Sequence, residues 1–345
     1  MTDGSTSGRA VTIRDVAERA RVSISTVSHA YSGHRPISQA TKDRVFSAAA
    51  ALGYDPNPSA RSLRTGRSGL VGLILRPRFA VAGAPDRAET FNRLIGSVAT
   101  EMLRRRTGLV HVPDMPTAAG VPMDGCIVAH PYGGDEVLAE ILRRGLPVVT
   151  VEEDPDRPEF TWTVRLDYPV VVTALLDHLA AQGAERIMLL GGTEDNAWNR
   201  RPHETYLAWC ARNGRKPHAD RLSEGLSMDD AADRIRALLA SPHRPDALVV
   251  ATSDFAALAG RVAAAEGVRV PGDLLLAALT DSEHSRTAAP PITAMDLRHE
   301  ALAERAVELM LARLASSDPP PTPPLLTPAL HFRASTTGPV NRPDR

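Results

Sequence analysis

The sequence predicts a two-part fold: a small helical head over residues 12–57 carrying a helix-turn-helix, then a doubly wound α/β body over residues 69–336. Three observations carry this. Residues 12–53 hold start and stop signals spaced for three short helices. From Gly69 onward, short apolar runs alternate with amphipathic helical stretches. The formal net charge of −1 divides into +5 over residues 1–67 and −6 over the rest. A basic head on an acidic body is what phosphate contact by one end requires. The 345-residue length exceeds one typical domain, and 43% apolar with 23% charged residues fits a globular chain. Residues 1–11 and 337–345 read as tails.

The first helix starts at Thr12, a good N-cap, with Asp15 placed to complete a variant of the capping box. Val16, Ala17 and Ala20 share one face, and the small Ala17 lets a second helix approach. Arg21 falls in the turn, where a left-handed residue costs an arginine on the order of 1 kcal/mol. Ser23 caps the second helix, whose Val27 and Ala30 bury with Val22 against the first. That leaves Ile24, Ser25, Thr26, Ser28 and His29 at its start and outer face. Serine and threonine hydroxyls bond phosphates or base edges, and His29 donates to a purine acceptor. A serine-rich helix start alone is usually only a cap; here the whole unit has the spacing that offers a helix to the major groove. Ser38 caps a third helix with Val45, Ala49 and Leu52 facing inward. Gly53 stops it in a left-handed cap, and Pro56 and Pro58 prevent continuation.

In the body, strands are expected at 70–75, 109–112, 126–129, 148–151, 186–190, 247–251 and 274–279. Helices are expected at 90–105, 137–144, 171–181, 203–213, 229–240 and 255–266. This alternation argues for parallel sheets with helices on both faces, and two such sets for two subdomains. Ligands of such sheets bind beyond the carboxyl ends of the strands, here the cleft between subdomains. Asp318–Pro324 reads as a proline-rich linker and Leu330–Arg333 as a final strand.

Other classes are disfavoured. Cys126 and Cys210 are far apart, which fits neither a disulfide scaffold nor a metal site. No apolar run suits a signal peptide or a membrane span, so a cytoplasmic protein without membrane contact is expected. Gly191-Gly192-Thr193 ends a strand where a phosphate can bind, but no Gly-Lys-Ser/Thr follows. There is no Gly-x-Ser-x-Gly elbow. No enzyme activity, metal or cofactor is expected.

Taken in order, Asp15-Val16-Ala17, Val22-Ser23, Thr26-Val27-Ser28, Leu52-Gly53-Tyr54-Asp55-Pro56-Asn57 and Ala60-Arg61-Ser62-Leu63 resemble the head of the lactose-repressor (LacI/GalR) family of bacterial transcription regulators. Body segments extend the resemblance to about Thr336: Met123 to Ile127, Arg144 to Val149, Gly183 to Ile187, Val270 to Asp273 and Pro290 to Thr293. The resemblance implies a periplasmic-binding-protein-like sensor, with crossovers near 163 and 293, and a hinge helix within residues 58–68. It implies DNA contacts from Thr12, Arg14, Ser23, Ile24, Ser25, Thr26, Ser28, His29, Tyr54 and Asn57. From the hinge it adds Ala60, Arg61, Leu63 and Arg64, with Leu63 as a minor-groove wedge. Apolar wedges unstack and bend DNA, and so short a hinge needs DNA and dimer contacts to fold.

The body departs from relatives in its pocket. Counting back from Tyr206 to the arginine that relatives carry gives Pro202, with Arg200 and Arg201 adjacent. An expected acidic pair reduces to Asp281, and an Asn-Asp pair becomes Ser253-Asp254. The segment Asp114–Pro122 is too short for the helix that relatives place there. Arg200, Arg201, Asp254 and Asp281 are the candidate effector contacts, with Trp162 and Trp198 as candidate stacking surfaces. A polyhydroxylated ligand wants a dense set of fixed polar groups, which puts a simple sugar in doubt. The expected function is a homodimeric regulator, a repressor since occupancy suffices, reading a pseudo-palindromic operator under control of a small-molecule effector. The alternatives are an effector-independent DNA binder with a degenerated pocket and, distantly, an enzyme acting on the cleft ligand.

Overall fold

The computed structural model describes residues 11–32, 35–54, 67–76, 89–112, 120–318 and 322–338. The chain divides into two units, through Ser68 and from Gly69. The predicted hinge contacts Ala60, Arg61, Leu63 and Arg64, and Asn57 before them, lie outside the described residues.

The head is α1 (Ile13–Ala20), α2 (Ile24–Ser32) and α3 (Gln39–Leu52). Asp15 reaches back so that its carboxylate accepts from both the backbone N–H (2.7 Å) and the hydroxyl (2.6 Å) of Thr12. Arg21 has φ 53°, the left-handed residue that the turn requires, and Val22 N–H donates to the Ala17 carbonyl at 3.0 Å. Ser38 caps α3, and Gly53 at φ 63° ends it. The core is small: Val16, Ala17, Ala20, Val27, Ala30, Val45, Ala48 and Ala49, with Leu52 only partly buried at its margin.

The body is two lobes. In the first, β1 (Leu70–Leu75), α4 (Glu89–Arg104), β2 (Gly108–His111), β3 (Gly125–Ala129), α5 (Glu136–Arg143), β4 (Val148–Val151) and β5 (Thr163–Leu166) build a sheet of order β11-β5-β4-β3-β1-β2, where β11 is Leu325–Leu326. Every pairing in it is parallel. In the second, α6 (Tyr168–Ala181), β6 (Ile187–Gly191), α7 (Ala197–Arg212), β7 (Ala219–Arg221), α8 (Met228–Ala240), β8 (Ala247–Val250), α9 (Ser253–Ala265), β9 (Leu275–Ala278), α10 (Glu283–Thr287) and β10 (Thr293–Asp296) build the order β12-β10-β9-β8-β6-β7. Its edge strand β12 (Ala329–His331) is antiparallel to β10, and the rest are parallel. Central strands are buried on both faces, as parallel sheets demand.

Several elements differ from expectation. The chain crosses between lobes at Asp167, after β5, and again at residues 297–298, after β10. The strands beginning at 163 and 293 finish their sheets first. A third crossing, at residues 327–328, joins β11 to β12. Asp167 marks the first crossing, its N–H bonded to the Leu326 carbonyl at 2.9 Å. The helix expected from His203 starts at Ala197 instead, because Asn196 caps it, and it tolerates Pro202 inside. Helix α11 (His299–Ala315) was not foreseen; it returns to the first lobe and packs on α4, β3, β4 and β5. Cys126 and Cys210 are free and buried, and burial pushes the Cys126 thiol up to about 12.

Candidate DNA-reading face and effector cleft

On the head, Ser23, Ile24 and Ser25 are exposed at the start of α2, Ile24 at 45%, while Thr26, Ser28 and His29 are half-buried. The Ser23 hydroxyl accepts from the Thr26 N–H at 3.1 Å and pairs with the hydroxyls of Ser25 (2.7 Å) and Thr26 (2.8 Å). One serine thus caps the helix and orders two further hydroxyls at its free N-terminus, where backbone donors and the dipole favour a phosphate. Val27 and Ala30 on the opposite side anchor the helix. Arg14 and Arg21 are exposed, Thr12 is half-buried, and Tyr54 packs edge-on against Tyr31.

In the body, a cavity lies where the carboxyl ends of the strands of both lobes meet. Glu89, Phe91 and His130 line it from the first lobe; Trp198, Thr252, Asp254, Thr280, Ser282 and His284 line it from the second. Its volume is about 30 Å3, room for one or two waters. His130 (φ 56°) and Glu152 (φ 65°) directly follow β3 and β4, both in the left-handed region and both buried. His130 Nδ1 lies 2.8 Å from Glu152 Oε2, and the buried Tyr168 hydroxyl donates to Glu152 Oε1. Burial and the adjacent Glu152 hold the Tyr168 phenol well above its ordinary pKa, so it stays a donor. In the second lobe the Ser253 and Ser282 hydroxyls pair at 2.7 Å, and the Ser253 N–H donates to the Thr280 hydroxyl at 3.0 Å.

The four sequence-derived effector candidates are not brought together. Asp254 lines the cavity. Asp281 is turned to Arg333, which donates to both its oxygens at 2.8 Å, and also accepts from Ser285. Burial raises its pKa, but the bonds from Arg333 and Ser285 outweigh burial and hold it below its ordinary value. Arg200 and Arg201 instead tie the lobes together outside the cavity. Arg200 bonds Asp156 at 2.8 Å and also Asp195, while Arg201 Nε bonds Glu153 at 2.6 Å. A Cβ on Gly133 would lie 2.7 Å from Arg200 Nη2 and 2.8 Å from the Asp156 and Asp195 carboxylates, so this clasp needs glycine there. Across the cleft, Glu89 accepts from Arg286 at 3.1 Å and from the Glu283 N–H at 2.8 Å. Trp162 is buried against Arg313, while Trp198 does reach the cavity.

The Gly191-Gly192-Thr193 loop is an anion cradle already filled from within. The Glu224 carboxylate accepts from the Thr193 N–H (2.9 Å) and hydroxyl (3.0 Å) and from Asn199 Nδ2 (2.7 Å). A Cβ on Gly192 would collide with Glu224 Oε1. His130, Glu152 and Tyr168 were missed. The signal that finds the first two is position: each is the residue after a strand, at the carboxyl end where such folds bind ligands.

A helix offered to the major groove and a two-lobed body with a cleft at its strand ends define a DNA-binding transcriptional regulator with an effector-binding domain. Residues 12–57 match the model for bacterial regulatory proteins of the lacI family, and residues 176–336 that for a periplasmic binding protein-like domain. The maltose regulon regulatory protein MalI of Escherichia coli K12 is 32% identical over 241 residues, 66% of this chain and 68% of that protein. The lactose operon repressor of the same strain is 26% identical over 308 residues, 87% of this chain and 84% of that one. The crystal structure of the lac repressor dimer bound to operator and the anti-inducer ONPF superimposes with a TM-score of 0.78 at 22% identity, covering 95% of this chain and 99% of that one. The chain belongs to the lacI family of bacterial regulatory proteins. Among the described residues, no helix is long and apolar enough to cross a membrane.

Proposed function

We propose that the protein is a cytoplasmic homodimer that binds a pseudo-palindromic operator and represses transcription by occupying it. The observation that carries this reading is the exposed hydroxyl-rich start of α2, pinned from behind by Val27 and Ala30. Ser25, Thr26, Ser28 and His29 read the major groove, with Thr12, Arg14, Ser23, Ile24, Tyr54 and Asn57 supporting contacts. Leu63 enters the central minor groove, flanked by Ala60, Arg61 and Arg64. The dimer reading is supported by the operator-bound lac repressor dimer that shares the fold.

A small-molecule effector enters the cleft and sets the angle between lobes, which shifts the population able to bind DNA. The present cavity admits little more than water, so effector entry requires the lobes to part. That same narrowness, with Arg200 and Arg201 consumed in the clasp, favours a second reading: a DNA binder with no effector. The absence of any ligand-induced thermal shift identifies that case.

The test is selection of bound sequences from a random DNA pool by full-length protein. A pseudo-palindrome with a fixed centre is expected, and a pool retained only through salt-dependent, sequence-independent binding rejects operator reading. Leu63→Ala should weaken specific binding far more than nonspecific binding. Arg64→Ala should lower the salt slope by about one unit.

A further inference from the structure

We infer that Ile24 is the residue through which the head demands a thymine in each operator half-site, by packing its side chain on the C5-methyl group in the major groove. The inference rests on the reading of α2 as the helix that enters that groove, and it names the base feature that this helix selects. Ile24 is the first residue of α2 and is 45% exposed. Among the described residues of the head, the other exposed large apolar side chains are Val11, before the α1 cap, and Phe46, which meets Tyr31 edge-on at 5.1 Å. Val22, Tyr31 and Ile37 pack against the head core. A single exposed apolar side chain is ordinary on most surfaces. The first turn of a helix, however, favours acidic residues or proline, so helix formation does not call for isoleucine here.

The neighbours of Ile24 set what it can read. Ser25 is exposed and Thr26 half-buried, and the Ser23 hydroxyl holds both of their hydroxyls, at 2.7 and 2.8 Å. A hydroxyl donates or accepts, so it fits several base edges and discriminates little between them. An isoleucine side chain has one complement among the base edges of the major groove, the C5-methyl group of thymine. Against a cytosine in the same place, it would cover the N4 amino group and offer no acceptor, which costs more than a missing methyl contact. A phosphate is equally unsuited, since apolar atoms strip its water and return no bond. Val27 and Ala30, both buried, fix α2 on the head, so Ile24 meets the groove from a set position.

The test uses full-length protein and the operator recovered from the random DNA pool. Each thymine of a half-site, on either strand, is replaced in turn by deoxyuridine, which removes only the C5-methyl group, and then by cytosine and 5-methylcytosine. Kd is read by fluorescence anisotropy at one fixed salt concentration. At one thymine, deoxyuridine should weaken binding about fourfold in one half-site and about 15-fold in both, the worth of a buried methyl group at each. Cytosine there should cost about tenfold or more, and 5-methylcytosine should recover part of that loss. In Ile24→Ser the thymine and deoxyuridine operators should bind equally, while Ile24→Val keeps the preference. Ile24 is exposed, so both variants should fold, and an unchanged Tm checks this. A half-site in which no thymine responds to deoxyuridine, or a preference that survives in Ile24→Ser, overturns the inference and leaves operator reading standing. A pool without a pseudo-palindrome rejects operator reading itself, and this inference with it.

Discussion

In the first lobe, the residues that follow β3 and β4 are His130 and Glu152, both at positive φ and joined with Tyr168 in one buried relay. In the second lobe, beyond β8 and β9, the Ser253 and Ser282 hydroxyls pair with each other and the Thr280 hydroxyl accepts from the Ser253 N–H. The strand orders of the two sheets correspond, apart from an edge strand that is parallel in the first and antiparallel in the second, so the contrast at the cleft lies in the residues that follow the strands. The periplasmic-binding-like match covers residues 176–336, within which the hydroxyl cluster falls, while the relay falls before it. In the second lobe the buried carboxylate at the strand ends, Asp281, is matched by the Arg333 guanidinium; in the first, the Glu152 carboxylate is held by the His130 ring and the Tyr168 hydroxyl, and burying it demands both partners.

The largest effect expected from this contrast belongs to Glu152. Glu152→Ala removes the acceptor of two buried donors at once and should cost about 4 kcal/mol of stability. Urea unfolding of full-length protein reads it, and a loss below about 1 kcal/mol would erase the difference between lobes.

The next effect is pH dependence from His299, at the start of α11. Burial, then repulsion from Arg93, pushes its imidazole down to about 4. The folded state thus holds the neutral ring, whereas the unfolded chain takes up a proton near pH 6.5. The stability it contributes is complete above pH ~6.5 and is lost as pH falls toward 4, about 3 kcal/mol in all. His299→Leu should flatten the urea-midpoint profile between pH 7 and 4.5; a variant as acid-sensitive as the parent rejects this account.

In the second lobe, Ser253→Ala breaks one hydroxyl pair and should cost only about 1 kcal/mol. A penalty equal to that of Glu152→Ala would show that the hydroxyl cluster is as demanding as the relay. Smallest is Ser38→Ala in the head, which removes one N-cap bond at about 1 kcal/mol or less. Amide exchange should quicken in α3 and stay unchanged in the body, because α3 belongs to the other compact unit of the chain.

The head was legible because its chemistry is local. Thr12, Asp15, Ser38 and Gly53 act on neighbours within a few residues, and the structure puts each in the cap that sequence spacing implied. The body's alternation also read correctly, but α11 did not: His299 to Ala315 is buried on much of its surface, which blurs the helical period. The cleft was hardest. Arg200 and Arg201 have the right charge and the right helix, yet carboxylates 44 and 48 residues upstream, Asp156 and Glu153, claim them. Asp281 is likewise claimed by Arg333, 52 residues downstream. Pairings at such separations leave no trace in local pattern.

Glu224, beyond β7, places its carboxylate in the loop after β6. It is a tethered competitor: the chain carries its own counter-anion at a high effective concentration, and a free phosphate must displace it to use the same amides. A free phosphate therefore meets a loop whose donors already hold an anion of the same chain.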